Sequence, residues 1–361
     1  MSATAMEARQ HMEGMMADRT SDVVAVIVNY RTPELALQCV AALADERLRV
    51  PGLRAVVVDG GSGDGSVETL RAGLSDLRFS GWSELLALPI NGGFGWANNQ
   101  AILRLLQGES SPTFIYLLNP DAKIEPGALL LLLTELRGFP KAAACGSRLV
   151  DDDGGVLGSA FRFPTPLREF ARGLRTPKIA RWLRFKDTMI DADAALEVDW
   201  VTGASVLFRS EALRQTGLFD DGFFLYFEEV ELMWRLRTAG WSIRHAPASR
   251  VLHIGGAATG VGGDAEQRRR RLPDYWHQSR RRFFVLCYGR VRTVFAGTMW
   301  LMGHALWLVR VTVGRRADAV ANEGRDHLRL GLIPRARDRR RSVPSWNASP
   351  GVEAAWMRAG R

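Results

Sequence analysis

Four times within the first 140 residues, a short apolar run stops at a cluster of polar residues and is followed by a helix-like segment. Val23 to Tyr30 (VVAVIVNY) is continuous and β-branched, the composition of a strand buried on both faces of a parallel sheet. Thr32 and Pro33 then read as a helix cap and first helical position, predicting a helix over Pro33 to Asp45. Leu53 to Asp59 runs into Asp59-Gly60-Gly61-Ser62-Gly63-Asp64-Gly65-Ser66. Leu85 to Pro89 runs into Asn91-Gly92-Gly93-Phe94-Gly95-Trp96-Ala97-Asn98-Asn99, with a helix from Asn98 to Gln107. Phe114 to Leu118 ends in Asn119-Pro120-Asp121-Ala122, before a Leu-rich helix from Gly127 to Arg137.

This β-then-α repetition specifies an α/β domain with a mostly parallel, Rossmann-like central sheet flanked by helices. Right-handed crossovers gather the polar loops along one edge, where open sheets bind ligands. That edge collects Asn29, Tyr30, Arg31, Asp59, Asp64, Asn91, Asn119 and Asp121. The loops hold neither a GxGxxG nor a Walker sequence, so neither a dinucleotide nor an NTPase site is expected.

The second half is less regular. Ala142 to Leu149 and Val198 to Phe208 read as strands, the latter with Gly203-Ala204 where something approaches closely. Asp151-Asp152-Asp153 reads as a solvated turn, and Phe161 to Asp193, with its prolines, as a surface excursion. Phe219 to Gly240 places Glu228, Glu229 and Glu231 beside Phe223, Phe224, Tyr226 and Phe227. Carboxylates among aromatics are costly to bury unpaired, so they mark either a helix start or a chemical task. Trp241 to His245 and Ser249 to His253 read as two short strands, with Gly255-Gly256 opening a flexible segment.

Charge is unevenly spread. Residues 268–361 hold 21 Arg, no Lys and six acids, a surplus of 15 in a chain of net charge +9, so the preceding residues are mildly acidic. An acidic body with an Arg-rich end predicts an anionic surface partner rather than a nucleic acid. Val294 to Val309 is apolar between Arg290 and Arg310, too short to span a bilayer; it reads as an in-plane helix with Trp300 and Trp307 at the membrane interface. Three scattered cysteines suggest a reducing compartment. Met1 to Asp22 has no continuous apolar core and reads as a disordered lead.

In order, VVAVIVNYRT, VVVDGGSGDGS, NGGFGWANN, LLNPDA, VTGA, FDDGFFLYFEEVEL and the late His253 resemble the family 2 glycosyltransferases, in their bacterial rhamnosyltransferase-like branch. The resemblance implies a GT-A fold over residues 22–265, with a nucleotide-binding half (22–140) and an acceptor half (141–265). A basic helical region (266–316) and a disordered Arg-rich tail (317–361) follow. It implies an inverting transfer of a sugar, first rhamnose from dTDP-rhamnose, from a nucleotide-diphosphate donor to a hydroxyl of a lipid-linked or surface glycan. The setting it implies is the cytoplasmic face of the plasma membrane.

By the same resemblance, Tyr30, Arg31, Asp59, Asp64, Asn91, Gly92, Gly93, Asn98, Asn119 and Asp121 bind the donor nucleotide and sugar. Asp121 and His253 hold a divalent metal, Mg2+ or Mn2+. Trp200, Thr202, Gly203, Ala204, Glu228 and Glu231 line the sugar and acceptor side. Glu229 is the general base, where the family commonly has Asp. A non-catalytic sugar-nucleotide or polysaccharide-binding protein on the same scaffold is the alternative.

Overall fold

The first apolar run forms strand β1 (Val23–Asn29), and its alternation shows why both faces had to be apolar. Val23, Ala25 and Ile27 enter one core layer and Val24 and Val26 the other. The structure is a computed structural model that describes residues 22–175, 188–254, 271–314, 322–351 and 353–358. The expected N-terminal lead, Gly255-Gly256, Arg268 to Arg270, Arg315-Arg316 and part of the proline-rich excursion lie outside these residues.

The remaining elements follow in chain order. They are α1 (Pro33–Glu46), β2 (Leu53–Asp59), α2 (Ser66–Leu74), β3 (Ser83–Ala87), α3 (Phe94–Gln107), β4 (Phe114–Leu118), β5 (Ala122–Ile124), α4 (Ala128–Gly138) and β6 (Ala142–Val150). Next come β7 (Ala160–Phe161), α5 (Pro166–Leu174), β8 (Met189–Ile190), β9 (Leu196–Val198), β10 (Trp200–Val201), β11 (Ser205–Arg209) and α6 (Ser210–Thr216). Then α7 (Glu228–Thr238), β12 (Ser242–His253), α8 (Asp274–Tyr288) and α9 (Arg290–Gly314) complete the longer elements.

The main sheet has the order β3-β2-β1-β4-β11-β6-β12-β5, with β9 also on β12. β1 to β4 are parallel, whereas β11 runs antiparallel to both β4 and β6. Helices α1, α2 and α4 cover one face and α3, α6 and α7 the other.

Several boundaries differ from expectation. The segment 198–208 is not one strand: β10 joins a small sheet with β7 and β8, and β11 joins the main sheet. Thr202-Gly203-Ala204 thus leave both ladders. The two expected strands near the end of the domain are one strand, β12, whose register breaks between Ala246 and Arg250. Pro247 lies in that break, and a residue without an N–H interrupts a ladder at a bulge. Thr32 makes no side-chain cap on α1; instead Asn29 Oδ1 accepts from the Thr32 amide at 3.2 Å. Asp151 does form the expected turn, its Oδ1 accepting from the Gly155 amide at 2.6 Å.

The C-terminal third departs most from the sequence reading. α9 is 25 residues long, not 16, and Trp300 and Trp307 are buried rather than interfacial. They are buried because α9 packs closely on α5. A Cβ on Gly173 would stand 2.3 Å from the Trp300 carbonyl oxygen, and one on Gly303 2.2 Å from that of Phe170. The basic run Arg280-Arg281-Arg282 is also interior. Arg280 pairs with Glu169 of α5 at 2.5 Å, Arg281 with Asp338 at 2.6 Å, and Arg282 with Asp220 at 2.8 Å.

The segment expected to be a disordered tail is packed onto the body in residues 322–351 and 353–358. Asp338 and Leu330 are buried, Leu218 donates its amide to Pro344 O, and Asp221 donates its amide to Ser342 O. Trp356 Nε1 donates to Gly92 O at 2.8 Å. Composition alone made this segment look like a solvated basic tail. Glu231 and Asp220 of the body, which hold Arg341 and the Ser342 amide, and the packed Trp346 and Trp356 anchor it instead.

Removing one member of a buried ion pair leaves an uncompensated charge, which costs about 3–5 kcal/mol. Arg281→Ala is therefore expected to lower unfolding stability by about that amount, measured as a fall in the denaturant midpoint. An unchanged midpoint would show that Asp338 does not anchor the C-terminal segment.

Candidate active site

The polar loops meet at the C-terminal edge of the parallel strands in a cavity of about 440 Å³. Its walls include Tyr30, Asn91, Gly93, Asn119, Asp121, Thr202, Gly203, Ala204, Glu228, Glu229 and His253, all expected from sequence.

Sheet pairing brings Asp121 and His253 together. β5 pairs antiparallel with β12 so that His253 stands opposite Ala122, the neighbour of Asp121. His253 Nε2 lies 3.3 Å from Asp121 Oδ1 and 3.4 Å from Asn119 Nδ2. The Ile254 amide donates to Asp121 O at 3.2 Å, and the Asn119 amide to Ala204 O at 2.9 Å. A carboxylate oxygen and an imidazole nitrogen converge here at the cavity wall. No group of three His, Cys, Asp or Glu side chains converges on a metal-sized site among the described residues. Two protein ligands with the remaining positions filled by phosphate oxygens and water is the habit of a hard divalent cation at a phosphate site. The donor set fits such a metal.

Opposite stands the first turn of α7. Tyr226 and Phe227 both have left-handed backbones, at φ 67° and 68°, which strain non-glycine residues. That double turn swings the chain so that Glu228 and Glu229 enter the helix facing inward. Gly93 permits the approach, since a Cβ there would stand 1.9 Å from the Phe224 carbonyl oxygen. Phe94 seals it by donating its amide to that same oxygen at 3.2 Å.

Glu228 and Glu229 are the anomaly of the site. Each has a buried Oε2 with no hydrogen-bond partner. Burial raises the carboxyl of Glu229 to about 7. Burial, and then the charge of Glu229, hold Glu228 well above the usual carboxylate range. Two adjacent buried carboxyls cannot both ionise cheaply, so they titrate as a pair. Glu229 is the member of the pair beside Gly203. Its Cβ lies 3.9 Å from where a Cβ on Gly203 would stand, whereas Glu228 turns toward Gly95 of α3.

Other expected site residues serve as supports. Asp59 is fully buried: its Oδ1 accepts from the amides of Gly61 and Ser62, and its Oδ2 from Asn29 Nδ2 and Ser62 Oγ. It shapes the loop behind the cavity and does not line it. Asp64 caps α2, accepting from Ser66 Oγ at 2.5 Å, and that hydroxyl holds its carboxyl below the usual range. Arg31 stacks on Tyr30 at 5.1 Å and donates to Ser62 O. Asn98 donates to Phe94 O at 2.9 Å, and Gly92 accepts from Trp356.

Two residues move away from the acceptor side. Trp200 stacks on Phe161 with ring centroids 4.2 Å apart. Glu231 is buried between Arg235 and Arg341, each at 2.8 Å. Helical geometry explains the second case: three positions after Glu228, a side chain near the same face lies one turn deeper.

Sequence reasoning also missed members. Phe94, Phe224, Tyr226 and Tyr275 line the cavity. Phe94, Phe224 and Tyr226 sat inside motifs already noted, but Tyr275 comes from α8 and had no local signal. Asn99, likewise inside a noted motif, pins the acidic loop. It donates to Phe219 O and Asp221 Oδ1 at 2.8 and 2.7 Å and accepts from the Phe219 amide.

Comparison with known proteins agrees with this geometry. The family model for glycosyl transferase family 2 matches residues 24–217. The chain is 31% identical over 216 residues to an N-acetylglucosaminyl-diphospho-decaprenol L-rhamnosyltransferase of Mycobacterium tuberculosis, covering 57% of this chain and 67% of that one. It is 29% identical over 171 residues to the rhamnosyltransferase WbbL of Escherichia coli, covering 45% of this chain and 60% of that one. Among solved structures, a mannosyltransferase of Pyrobaculum calidifontis in complex with GDP-Man and Mn2+ superposes with a TM-score of 0.52 at 13% identity, over 82% of this chain and 75% of that one. GalNAc-T7 with UDP, GalNAc and Mn2+ superposes at 0.50 and 14%, over 81% and 58%. With a family match over more than half of its length, a GT-A architecture and rhamnosyltransferase relatives, this chain belongs to glycosyl transferase family 2, in the rhamnosyltransferase-like branch, and is a glycosyltransferase.

Proposed function

We propose that the protein transfers a sugar, L-rhamnose first, from a nucleotide-diphosphate donor to a hydroxyl of a glycan carried on a lipid diphosphate, inverting the anomeric configuration. The observation that carries this reading is the unpartnered, high-pKa carboxyl of Glu229 in the same cavity as the Asp121–His253 pair. The two rhamnosyltransferase relatives support the sugar, and the diphospho-decaprenol acceptor in the mycobacterial relative's name supports the carrier.

In this mechanism Tyr30 and Asn91 border the donor, and Thr202, Gly203 and Ala204 the transferred sugar. Glu229 accepts the proton of the acceptor hydroxyl. That oxygen forms a bond to the anomeric carbon from the face opposite the diphosphate, whose bond to the same carbon breaks. Glu228 stays protonated beside it and lowers the cost of the single negative charge. Asp121 and His253 would hold a divalent metal, which supplies positive charge against the departing diphosphate when bound. A base that ionises near working pH suits proton abstraction from an alcohol.

We further propose that the protein lies on an anionic membrane at the cytoplasmic face. α9 is the one described helix long and apolar enough to cross a bilayer, and a third of that stretch is buried in the protein. Val291, Phe295, Met302, Leu306, Val309 and Val313 stay exposed at helical spacing along one face. Gly303, Trp300 and Trp307 on the other face pack inward. A helix with one face held by its own domain is placed in the membrane plane, with Arg290, Arg292 and Arg310 near headgroups.

Three outcomes are expected. First, Glu229→Gln lowers kcat for transfer about 10²–10⁴-fold while donor binding persists. The wild-type rate rises with pH through an acid limb near 7, and the variant's residual rate lacks that limb. The fold favours the neutral form of Glu229, since its pKa stands above the ordinary 4.5. Its stabilising contribution is therefore complete below that value and lost as pH rises through about 7. Glu229→Gln should thus keep or raise Tm at alkaline pH, and normal turnover by the variant sinks the assignment. Second, donor binding measured by thermal shift requires Mg2+ or Mn2+, and Asp121→Asn abolishes the metal-dependent shift; a shift surviving both EDTA and the substitution argues against the ligand pair. Third, Phe295→Asp with Leu306→Asp reduces co-sedimentation with phosphatidylglycerol vesicles about tenfold or more, since each charge opposes burial in the interface. Undiminished binding would place the membrane contact elsewhere.

A further inference from the structure

A second cavity, of about 740 Å³, lies on the far side of Phe224 and Tyr275 from the catalytic one. Both aromatics line both cavities, their rings meeting edge to face at 5.2 Å, and Trp356 packs on Phe224 at 4.8 Å. The catalytic cavity holds carboxylates, but this one is walled by Arg282, Arg337, Arg340, Arg341 and Arg358. Two of the five are neutralised, Arg282 by Asp220 and Arg341 by Glu231. The acids in the wall, Asp338 and Asp274, face Arg281 and Arg271. Arg337 donates to the neutral Gln278 Oε1 at 2.7 Å, and Arg358 to a backbone carbonyl. Together with Arg340, they have no carboxylate hydrogen-bonded to them among the described residues. Burial, and then Arg281 and Arg335, lower the pKa of Arg337, with Asp338 acting in the opposite direction.

Arginine forks match phosphate oxygens two at a time, and three of them around one concavity exceed what a solvated surface needs. We propose that this cavity binds the diphosphate of the acceptor, with Arg337, Arg340 and Arg358 on its oxygens, so that the sugar it carries reaches over the shared Phe224–Tyr275 wall into the catalytic cavity. The inference rests on the acceptor reading above and adds the residues that select it. Anionic lipid headgroups share the same phosphate chemistry, and the test separates the two sources.

The experiment compares wild type with an Arg337→Gln/Arg340→Gln/Arg358→Gln variant. Arg340→Gln, altering a solvent-exposed position, serves as a second variant that retains the fold. Calorimetry with inorganic pyrophosphate in EDTA, which removes metal-dependent binding at the donor site, is expected to show affinity about tenfold or more weaker in the triple variant, the loss of one or more charge-assisted bonds. Transfer assays are expected to show KM rising about tenfold or more for a sugar diphospho-prenol but about twofold or less for the same sugar on an uncharged alkyl chain. Absence of pyrophosphate binding by wild type, equal binding by the triple variant, or equal KM changes on both acceptors would overturn the proposal. So would lost binding to phosphatidylglycerol vesicles with no change in KM for the diphosphate acceptor, which assigns the arginines to headgroups. Pyrophosphate binding without transfer to either acceptor would instead overturn the acceptor reading, and the assignment of the diphosphate with it.

Discussion

Burying a carboxylate without a partner is expensive, and the described structure meets that constraint almost everywhere. Glu46 accepts from the amides of Gly127 and Leu129 and so caps α4. Asp59 is saturated by amides and side chains of its own loop and of Asn29. Glu169, Asp220 and Asp338 each take one arginine from the run Arg280-Arg281-Arg282, and Glu231 takes two from elsewhere. The orphan carboxylate oxygens are those of Glu228 and Glu229. Among the described residues the other buried acids are compensated within the chain, and these two stand apart at the wall of the cavity.

The same ion pairs hold the reactive turn in place. Arg282, through Asp220, ties α8 to the loop ahead of α7, and Asn99 grips that loop from α3. Between those anchors the chain sustains two consecutive left-handed residues, Tyr226 and Phe227. Such a turn persists only where its surroundings overdetermine it. Arg281 and Asp338, meanwhile, fasten the C-terminal segment against α8, where Trp356 reaches Gly92 beside the catalytic cavity. The arginine-rich end of the chain is thus part of the enzyme's architecture.

α9 unites two roles along one helix. Its inner face meets α5 at glycine distance through Gly173 and Gly303, and its outer face carries the exposed apolar residues. A free helix would be ambiguous between a span and a surface anchor. Here one side of the helix is fixed against a folded domain.

Much of the fold was legible locally. A buried parallel strand needs apolar residues on both faces, and β1 to β4 show this without reference to anything distant. The polar loops after those strands offered Asp121, Asn119 and Asn91 as candidates, because strand ends are local features, whereas Glu229 was singled out by the family resemblance. The roles of charged residues were not legible. Glu231 and Glu229 are two positions apart and equally acidic, yet one is locked between arginines and the other is bare. Asp59 was expected at the nucleotide, and its oxygens accept from its own loop and from Asn29. The run Arg280 to Arg282 looked solvated and proved interior. A charge is decided by its partner, and for the run Arg280 to Arg282 the partners lie 50 or more residues away in the chain. Hydrophobic alternation is written residue by residue, so the sequence determined the sheet; electrostatic pairing is written only in the folded distances, so the tertiary structure alone decided which carboxylates were left without a partner.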